Sequence, residues 1–234
     1  LQKLHLEFFE ASQKGRKDTI RKQIDILEWE LIEATLKEEG KISSLKALTK
    51  YRQANVKPFF LWKLHFSEVF RNRKGFDVII ANPPYIKEYE NRNAFDGLRT
   101  SLYYKGKMDI WYLFACKGID FLKPRVGILA FIAQNNWGTS HGASKMRNKI
   151  IGDSKILNLI DFGDYKVFKT AGIQTMIMLF QADSQTDNYT FDFRKLKTAE
   201  VVVNDIIDLL NCSPTDKAEY LTPKICRSNF RDKS

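Results

Sequence analysis

The chain has 234 residues, 44% hydrophobic and 13% aromatic, which is enough apolar material for a sizeable core and excludes a disordered polypeptide. Lysine and arginine number 38 against 28 acidic residues, so the formal charge of +10 favours a polyanionic partner, with nucleic acid the first choice. The three cysteines are widely spaced and form no C-x-x-C pair, which argues against a disulfide framework or a zinc site and for reduced thiols in a cytoplasm.

The first segment, residues 1–40, predicts a helical hairpin insert. Residues 1–39 contain no proline, and apolar side chains recur at helical spacing between charged ones, at Ile20, Ile24, Leu27, Leu31 and Ala34. Gly15 is predicted to divide two helices and Gly40 to end the second. No apolar run approaches the roughly 20 residues of a membrane span, so no membrane partner is expected.

Short apolar runs then predict the strands of a sheet covered on both faces, at residues 76–80, 126–133, 155–162 and 175–180. Helical segments at 108–123 and 144–153 separate the first three runs. This alternation is typical of an α/β fold with parallel strands. The last two runs, joined by a short link, are predicted to pair as an antiparallel hairpin at a sheet edge. Residues 183–234 are interpreted as a polar linker, a helix at 198–212 and a basic tail.

One short motif, Asn82-Pro83-Pro84-Tyr85, directly follows the first predicted strand. Functional groups of an α/β sheet lie just past the carboxyl ends of its strands. The two prolines lack N–H groups and have fixed φ angles, so the turn is stiff and offers carbonyl oxygens. Asn82 adds a side-chain acceptor and Tyr85 an aromatic face. The residues alone leave two interpretations open, an ordinary turn or a binding site.

Residues 76–85 resemble the fourth conserved motif of amino-methyltransferases that use S-adenosylmethionine, and the Asn form followed by Tyr is most similar to the N6-adenine DNA methyltransferases. The resemblance implies a partial Rossmann-like methyltransferase sheet and a catalytic set of Asn82, Pro83, Pro84 and Tyr85. The Asn82 side-chain oxygen and the Pro83 carbonyl would accept the two N–H groups of the target amine, and Tyr85 would stack on the flipped base. Asn82 and Pro84 would also contact the cofactor.

Two later stretches extend the resemblance, which covers roughly residues 58 to 182. Residues 106–137 look like motifs five and six, although a glycine of the usual turn is replaced in Leu122-Lys123-Pro124-Arg125-Val126-Gly127. Phe114 matches an aromatic that contacts the adenine of the cofactor, or else it is a core residue of its helix. Residues 161–181 resemble motif eight, in which Phe168 would pack against the flipped base.

Basic and histidine residues complete the candidates. The phosphate contacts are predicted among residues near the functional edge: Lys105, Lys107, Lys145, Arg147 and Lys149. The three histidines, His5, His65 and His141, are dispersed and show no ligand spacing, so no metal site is expected.

The resemblance is strongest to large single-chain restriction-modification enzymes, and it covers only part of such an enzyme. No two of the 12 glycines are spaced as G-x-G, as a cofactor turn requires, and the chain begins with Leu1 rather than Met. We therefore expect a fragment: residues 41–182 as the target-base half, and 183–234 leading toward a recognition domain. The expected partners are double-stranded DNA, the remaining methyltransferase half, the recognition domain and a nuclease domain if one is attached. The fragment alone is expected not to methylate.

Two alternatives remain open from the residues. The same Asn-Pro-Pro-Tyr logic serves enzymes that methylate another acceptor, either a glutamine amide of a protein or another nucleic-acid amine. The domain could also be a non-catalytic relative kept for DNA binding or assembly.

Overall fold

The computed structural model describes residues 1–38, 40–54, 56–57, 60–169 and 172–231. The chain divides into two compact units, residues 1–72 and 73–234. The predicted boundary at residue 40 therefore differs from the observed one, because the helices that follow pack with the hairpin. Pro58 and Phe59, where the resemblance begins, lie outside the described residues.

The first unit is helical. Its helices are α1 Gln2–Glu10, α2 Lys14–Glu38, α3 Ile42–Gln53, α4 Trp62–His65 and α5 Ser67–Asn72. Within the predicted apolar stripe of α2, Ile20 and Ile24 are buried with Ala11 in a small cluster. Gly15 lies in the first turn of α2, so the division between the two helices falls before it. Gly40, just past α2, has φ +66°, the left-handed conformation that ends helices.

The second unit is α/β. Its helices are α6 Trp111–Phe121, α7 Ser144–Asp153, α8 Val203–Asn211 and α9 Ser228–Arg231. Its strands are β1 Val78–Ala81, β2 Ile128–Gln134, β3 Ser154–Asp161, β4 Thr175–Ala182, β5 Asn188–Thr190, β6 Asp192–Leu196, β7 Ala218–Leu221 and β8 Lys224–Cys226. Single turns of 3-10 helix occupy Arg92–Phe95, Asn135–Gly138 and His141–Ala143.

The main sheet is mixed, with most strands running in one direction. Among the described residues, six strands pair in the order β1-β2-β4-β3-β6-β7. The strands β1, β2, β3 and β6 are mutually parallel, and β4 and β7 run against them. The predicted α/β class and the four predicted strands are confirmed.

The predicted place of the hairpin is wrong. The strands β3 and β4 do pair antiparallel, but β4 lies between β2 and β3, and β6 and β7 continue the sheet beyond β3. Residues 183–234 were predicted as linker, helix and tail, yet they supply these two strands. The charged sequence of β6 does not predict a buried strand. Its Arg194 is nevertheless accommodated, because the guanidinium pairs with Asp192 and donates to the carbonyls of Leu209 and Leu210.

The two faces of the sheet are covered unequally. The main core lies between the sheet and the helices α6 and α7, and includes Trp111, Leu129, Met146 and Met178. Ile79 and Ala81 of β1 pack on this core, so the alternating Val78 and Ile80 point to the opposite face. There α8 covers the β3 and β6 side, whereas Ile80 is 78% exposed. The face at β1 is therefore open in the described part of the chain.

The turn between α6 and β2 explains the missing glycine. Arg125 has φ +70°, a conformation that favours glycine, and it stands in the turn where the resemblance leads one to expect a second glycine. Gly127 cannot be replaced so easily, because an added Cβ would lie 2.7 Å from the Lys123 nitrogen and 2.8 Å from the Phe76 carbonyl oxygen. The turn thus tolerates a side chain at one position and excludes it at the other.

We expect the substitution Arg125→Gly to raise the free energy of unfolding by about 0.5–1 kcal/mol. Relief of a left-handed side chain contributes roughly 1–2 kcal/mol, and the entropy of glycine offsets about 0.5–1 kcal/mol of it. Urea unfolding followed by circular dichroism measures the change. The matched control is the neighbouring Val126→Gly, where φ is in the ordinary negative region, and it should lower stability. Shifts of the same sign in both variants would contradict the interpretation.

Candidate functional site

The candidate site lies at the carboxyl edge of the parallel strands. Asn82 follows β1, Gln134 and Asn135 stand where β2 ends, and Asp161 ends β3. The Asn135 side-chain amide donates to Asp161 Oδ1 at 2.9 Å, which ties the ends of β2 and β3 together across the intervening β4. The fold therefore brings polar groups from three separate sequence stretches to one edge.

The turn Asn82-Pro83-Pro84-Tyr85 presents some groups and anchors others. Pro83 is buried, whereas Asn82 and Pro84 are exposed. The Tyr85 hydroxyl lies 2.7 Å from Asn82 Oδ1 and 2.9 Å from the carbonyl oxygen of Ile132 on β2. Burial, with a smaller contribution from the charge of Asp109, raises the pKa of Tyr85 to about 12, so the phenol stays protonated and remains a donor at neutral pH.

Asp109 clamps the chain that follows this turn. Its Oδ1 accepts from the Ile86 amide at 3.0 Å, and the Ile110 amide donates to the Ile86 carbonyl at 2.9 Å. The side chain is buried, 3% exposed, and Oδ2 finds no hydrogen-bond partner among the described residues. Burial accordingly raises the pKa of Asp109. Asp109 was not among the residues predicted from the sequence, since the amide that it binds is 23 residues away along the chain.

The two aromatic candidates lie in different settings. Phe114 is 46% exposed on α6, although most of that helix is buried, so it is not a core residue. Phe168 lies partly buried in the loop between β3 and β4. An exposed aromatic on a buried helix fits a surface that receives a flat ligand, and the roles of both residues remain predictions.

The basic candidates separate into two groups. Lys105, Lys107 and Lys145 are exposed. The backbone of Lys107 packs closely against Gly142, which lies two residues before α7. Two other cations are engaged within the fold. Arg147 Nη1 donates to the carbonyls of Trp137 and Ser140, at 2.7 and 2.6 Å. Lys149 pairs with Asp120 and Asp153. The exposed lysines thus have side chains open to solvent, and their role as phosphate contacts stays a prediction.

The prediction that the histidines are dispersed is wrong for two of them. His5 and His65 meet in the helical unit, with ring centroids 5.1 Å apart, beside the buried Glu28. They belong to α1 and α4, which are remote in sequence, so no local spacing could reveal the cluster. His141 is exposed in the other unit.

The helices of the described ranges include none with the length and apolarity that crossing a membrane requires.

Comparison with known proteins gives a consistent family signal. The model of the Eco57I restriction-modification methylase family matches residues 3–168. The type II restriction enzyme and methyltransferase RM.Eco57I of Escherichia coli is 32% identical over 136 residues, 53% of this chain and 13% of that protein. The type II methyltransferase M.AccI of Acinetobacter calcoaceticus is 28% identical over 163 residues, 65% of this chain and 30% of that protein. The matches thus cover less than a third of either relative.

One solved structure is also similar to part of this chain. The modification subunit of a putative type I restriction enzyme from Vibrio vulnificus YJ016 aligns with a TM-score of 0.48 at 14% identity, covering 63% of this chain and 34% of that one.

Substitutions at Asp109 should separate its charge from its hydrogen bonds. Asp109→Ala removes the acceptor of the Ile86 and Trp111 amides and should lower the free energy of unfolding by about 1–3 kcal/mol. Asp109→Asn keeps an acceptor oxygen without a charge. The pKa of Asp109 is higher in the folded state, so the folded state binds the proton more tightly than the unfolded chain does. The contribution of Asp109 to the free energy of unfolding therefore falls as the pH rises above about 4.

Urea titrations between pH 4 and 7 measure both effects. The stability of Asp109→Asn relative to the parent should increase with pH. A difference that stays flat over this range would exclude the buried charge.

Proposed function

This chain belongs to the Eco57I restriction-modification methylase family, and from that membership we propose that it carries the target-base half of a DNA adenine-N6 methyltransferase. The observation that supports the proposal most directly is the turn after β1, where an exposed Asn82 and the Tyr85 hydroxyl are joined by a hydrogen bond at the carboxyl edge of the sheet. The acceptor is an adenine flipped out of double-stranded DNA. The donor is S-adenosylmethionine.

The chemistry of an exocyclic amine explains the need for two acceptors. The lone pair of the adenine N6 is delocalised into the ring, so the nitrogen is a poor nucleophile. The Asn82 side-chain oxygen and the Pro83 carbonyl would each take one N–H, favouring a pyramidal nitrogen whose lone pair points away from the protein acceptors. This is orientation and transition-state electrostatics, and it requires no base of unusual pKa.

The proton of Tyr85 sets the orientation of Asn82. A phenol has one hydrogen, so the hydroxyl donates to either Asn82 Oδ1 or the Ile132 carbonyl at a given moment. An amide oxygen has two acceptor sites, so Asn82 Oδ1 can hold the hydroxyl and still accept a substrate N–H. Tyr85 thus fixes the acceptor before the base arrives, and its ring would add about 1–3 kcal/mol by stacking on that base.

The exposed residues near the turn fit a cofactor that carries an adenine ring. Asn82 and Pro84 are exposed beside the turn, and Phe114 offers an exposed ring on α6. These residues would hold S-adenosylmethionine, whose sulfonium would supply the methyl group and leave as the neutral thioether. The roles of this chain are to orient the amine and to place an aromatic surface beside the cofactor.

The open face at β1 supports a second part of the proposal, that further residues of the enzyme complete the site. Val78 and Ile80 expose apolar surface at an edge strand, where burial would be favourable. We infer that the remaining methyltransferase half covers this edge and supplies most of the cofactor pocket. The isolated chain would then bind S-adenosylmethionine weakly and would not methylate. The three cysteines are free thiols, in keeping with a cytoplasmic enzyme.

The test of the function uses the complete gene product that contains this sequence. Transfer of radiolabelled methyl groups should occur to adenine-containing duplexes and not to adenine-free ones. Transfer to adenine-free duplexes would refute the adenine assignment. Transfer to glutamine-containing proteins and not to DNA would show an amide methyltransferase, and no transfer to any acceptor would indicate a binding domain. Calorimetry with the isolated 234-residue chain is a separate test, and tight stoichiometric cofactor binding would refute the incomplete pocket.

Substitutions in the turn should separate the effect of the Asn82 acceptor on the methylation rate from the effect of stacking by the Tyr85 ring. In the complete protein we expect Asn82→Ala to lower the methylation rate constant by about 10²-fold, as loss of a preorganised group does elsewhere. Tyr85→Phe keeps the ring and loses the hydrogen bonds, so its loss should be near tenfold or less. Tyr85→Ala should lose more, because stacking goes too. The control Asn93→Ala, an exposed asparagine on the 3-10 helix Arg92–Phe95, should keep the full rate, and unchanged rates in Asn82→Ala would contradict the proposal.

Salt dependence should identify the phosphate contacts. In the complete protein, Lys107→Gln and Lys145→Gln should each reduce the slope of log K against log salt by about 0.9, the value for one released phosphate contact. Arg147→Gln should leave the slope unchanged and lower stability, because its guanidinium bonds backbone carbonyls. DNA binding measured by fluorescence anisotropy over a salt series decides between them, and an unchanged slope in both lysine variants would refute the assignment.

A further inference from the structure

Three side chains in the helical unit converge in a way that the methyl transfer does not use. His5 of α1, Glu28 of α2 and His65 of α4 each direct one ligand-type atom into a common space, all within 4.8 Å of one another. Glu28 is 1% exposed. The Lys57 ammonium meets one oxygen of this buried carboxylate, and the other oxygen faces the imidazoles.

The hydrogen bonds of His65 restrict the answer. Its Nδ1 lies 3.1 Å from the Leu61 carbonyl oxygen, which can only accept, so Nδ1 carries a hydrogen. In a neutral imidazole, Nε2 is then a lone pair, and it faces Glu28 Oε1 at 3.0 Å. Two acceptors at this separation require a cation between them or a second proton on the ring. A histidine that donates Nδ1–H to a backbone carbonyl is the usual arrangement of a metal ligand.

His5 adds a second unsatisfied lone-pair position. Its Nε2 is buried and has no hydrogen-bond partner within the described residues. The His65 ring is held in its plane by Phe60, stacked at a centroid distance of 4.2 Å.

Lys57 leaves one carboxylate oxygen available. Its ammonium contacts Glu28 Oε2, and it also pairs with Asp25 Oδ1 at 2.9 Å. Oε1 is therefore the oxygen that faces the histidines. The ammonium balances one carboxylate and Asp25 adds a second negative charge, so the site can accept further positive charge.

We propose that His5 Nε2, His65 Nε2 and Glu28 Oε1 bind one divalent transition-metal ion of the zinc class. Two imidazoles and a carboxylate suit such ions, and a fourth, outer position remains for water. Metal–ligand bonds of about 2.0–2.2 Å place tetrahedral ligand atoms about 3.3–3.6 Å apart, a spacing that small side-chain rotations within this cluster would supply. The ion would join α1, α2 and α4, of which α1 and α4 are too short to be stable alone. The site is independent of the proposed methyl transfer.

The experiment uses the whole 234-residue chain after treatment with a chelator. Zinc titrated by calorimetry should bind at one ion per chain and raise the melting temperature. Cobalt, used as a spectroscopic probe of the unmodified chain, should show the visible absorption of tetrahedral nitrogen and oxygen ligands. A thiolate charge-transfer band would instead show that the exposed Cys212 had bound the metal.

Histidine variants locate the site. His5→Gln and His65→Gln should each weaken zinc binding at least tenfold and abolish the thermal shift, and His141→Gln, the matched control in the other unit, should change neither. Helical circular dichroism of each variant verifies folding, and the cobalt spectrum of the parent tests the ligands without any substitution. Absence of saturable binding, equal binding by His65→Gln, or a thiolate spectrum would overturn the proposal and leave a protonated His65 paired with Glu28.

Discussion

The parallel pairing of β1 with β2 is the constraint on which the candidate site depends. β1 has four residues, and in the described part of the chain it joins the sheet only through β2, in the register Val78↔Ile128 to Ala81↔Phe131. The Tyr85 hydroxyl extends this pairing beyond the strand by reaching the Ile132 carbonyl on β2. A one-residue slip would turn Ile79 and Ala81 out of the main core and would move Asn82 away from its hydrogen-bond partner. The burial of the β1 side chains and the position of the turn that begins at Asn82 are therefore fixed together.

The start of β1 is secured by a close backbone contact with the end of α6. The Phe76 amide donates to the Phe121 carbonyl, and the Lys123 amide donates to the Phe76 carbonyl, each at 2.8 Å. A Cβ on Gly75 would lie 2.6 Å from the backbone carbon of Leu122, so only glycine permits this approach. Helix α6 carries Phe114, and Asp109 lies just before this helix. The same contact therefore fixes the positions of Phe114 and Asp109 relative to the turn after β1.

The sequence predicted the features that depend on local pattern and motif. The four apolar runs became β1 to β4 because buried strands need continuous apolar residues, and the Asn82-Pro83-Pro84-Tyr85 turn was found at a strand end as expected. The features it missed depend on pairs remote along the chain. Strand β6 was hidden because its charges are satisfied by the α8 carbonyls, and Asp109 is significant only through the Ile86 amide. Arg147 and Lys149 were predicted among the phosphate contacts, because the backbone carbonyls and carboxylates that engage them are not adjacent in a recognisable sequence pattern.

The exposed edge of β1 also has a consequence for the behaviour of the chain in solution. One side of this strand has no strand neighbour among the described residues, and its exposed side chains, Val78 and Ile80, are β-branched and uncharged. Natural edge strands are usually protected by lysine, proline or a bulge, and β1 itself has none of these. Such an edge is a template for adding a strand from another molecule. The isolated chain should therefore self-associate as its concentration rises, and the net charge of +10 opposes this most effectively at low salt.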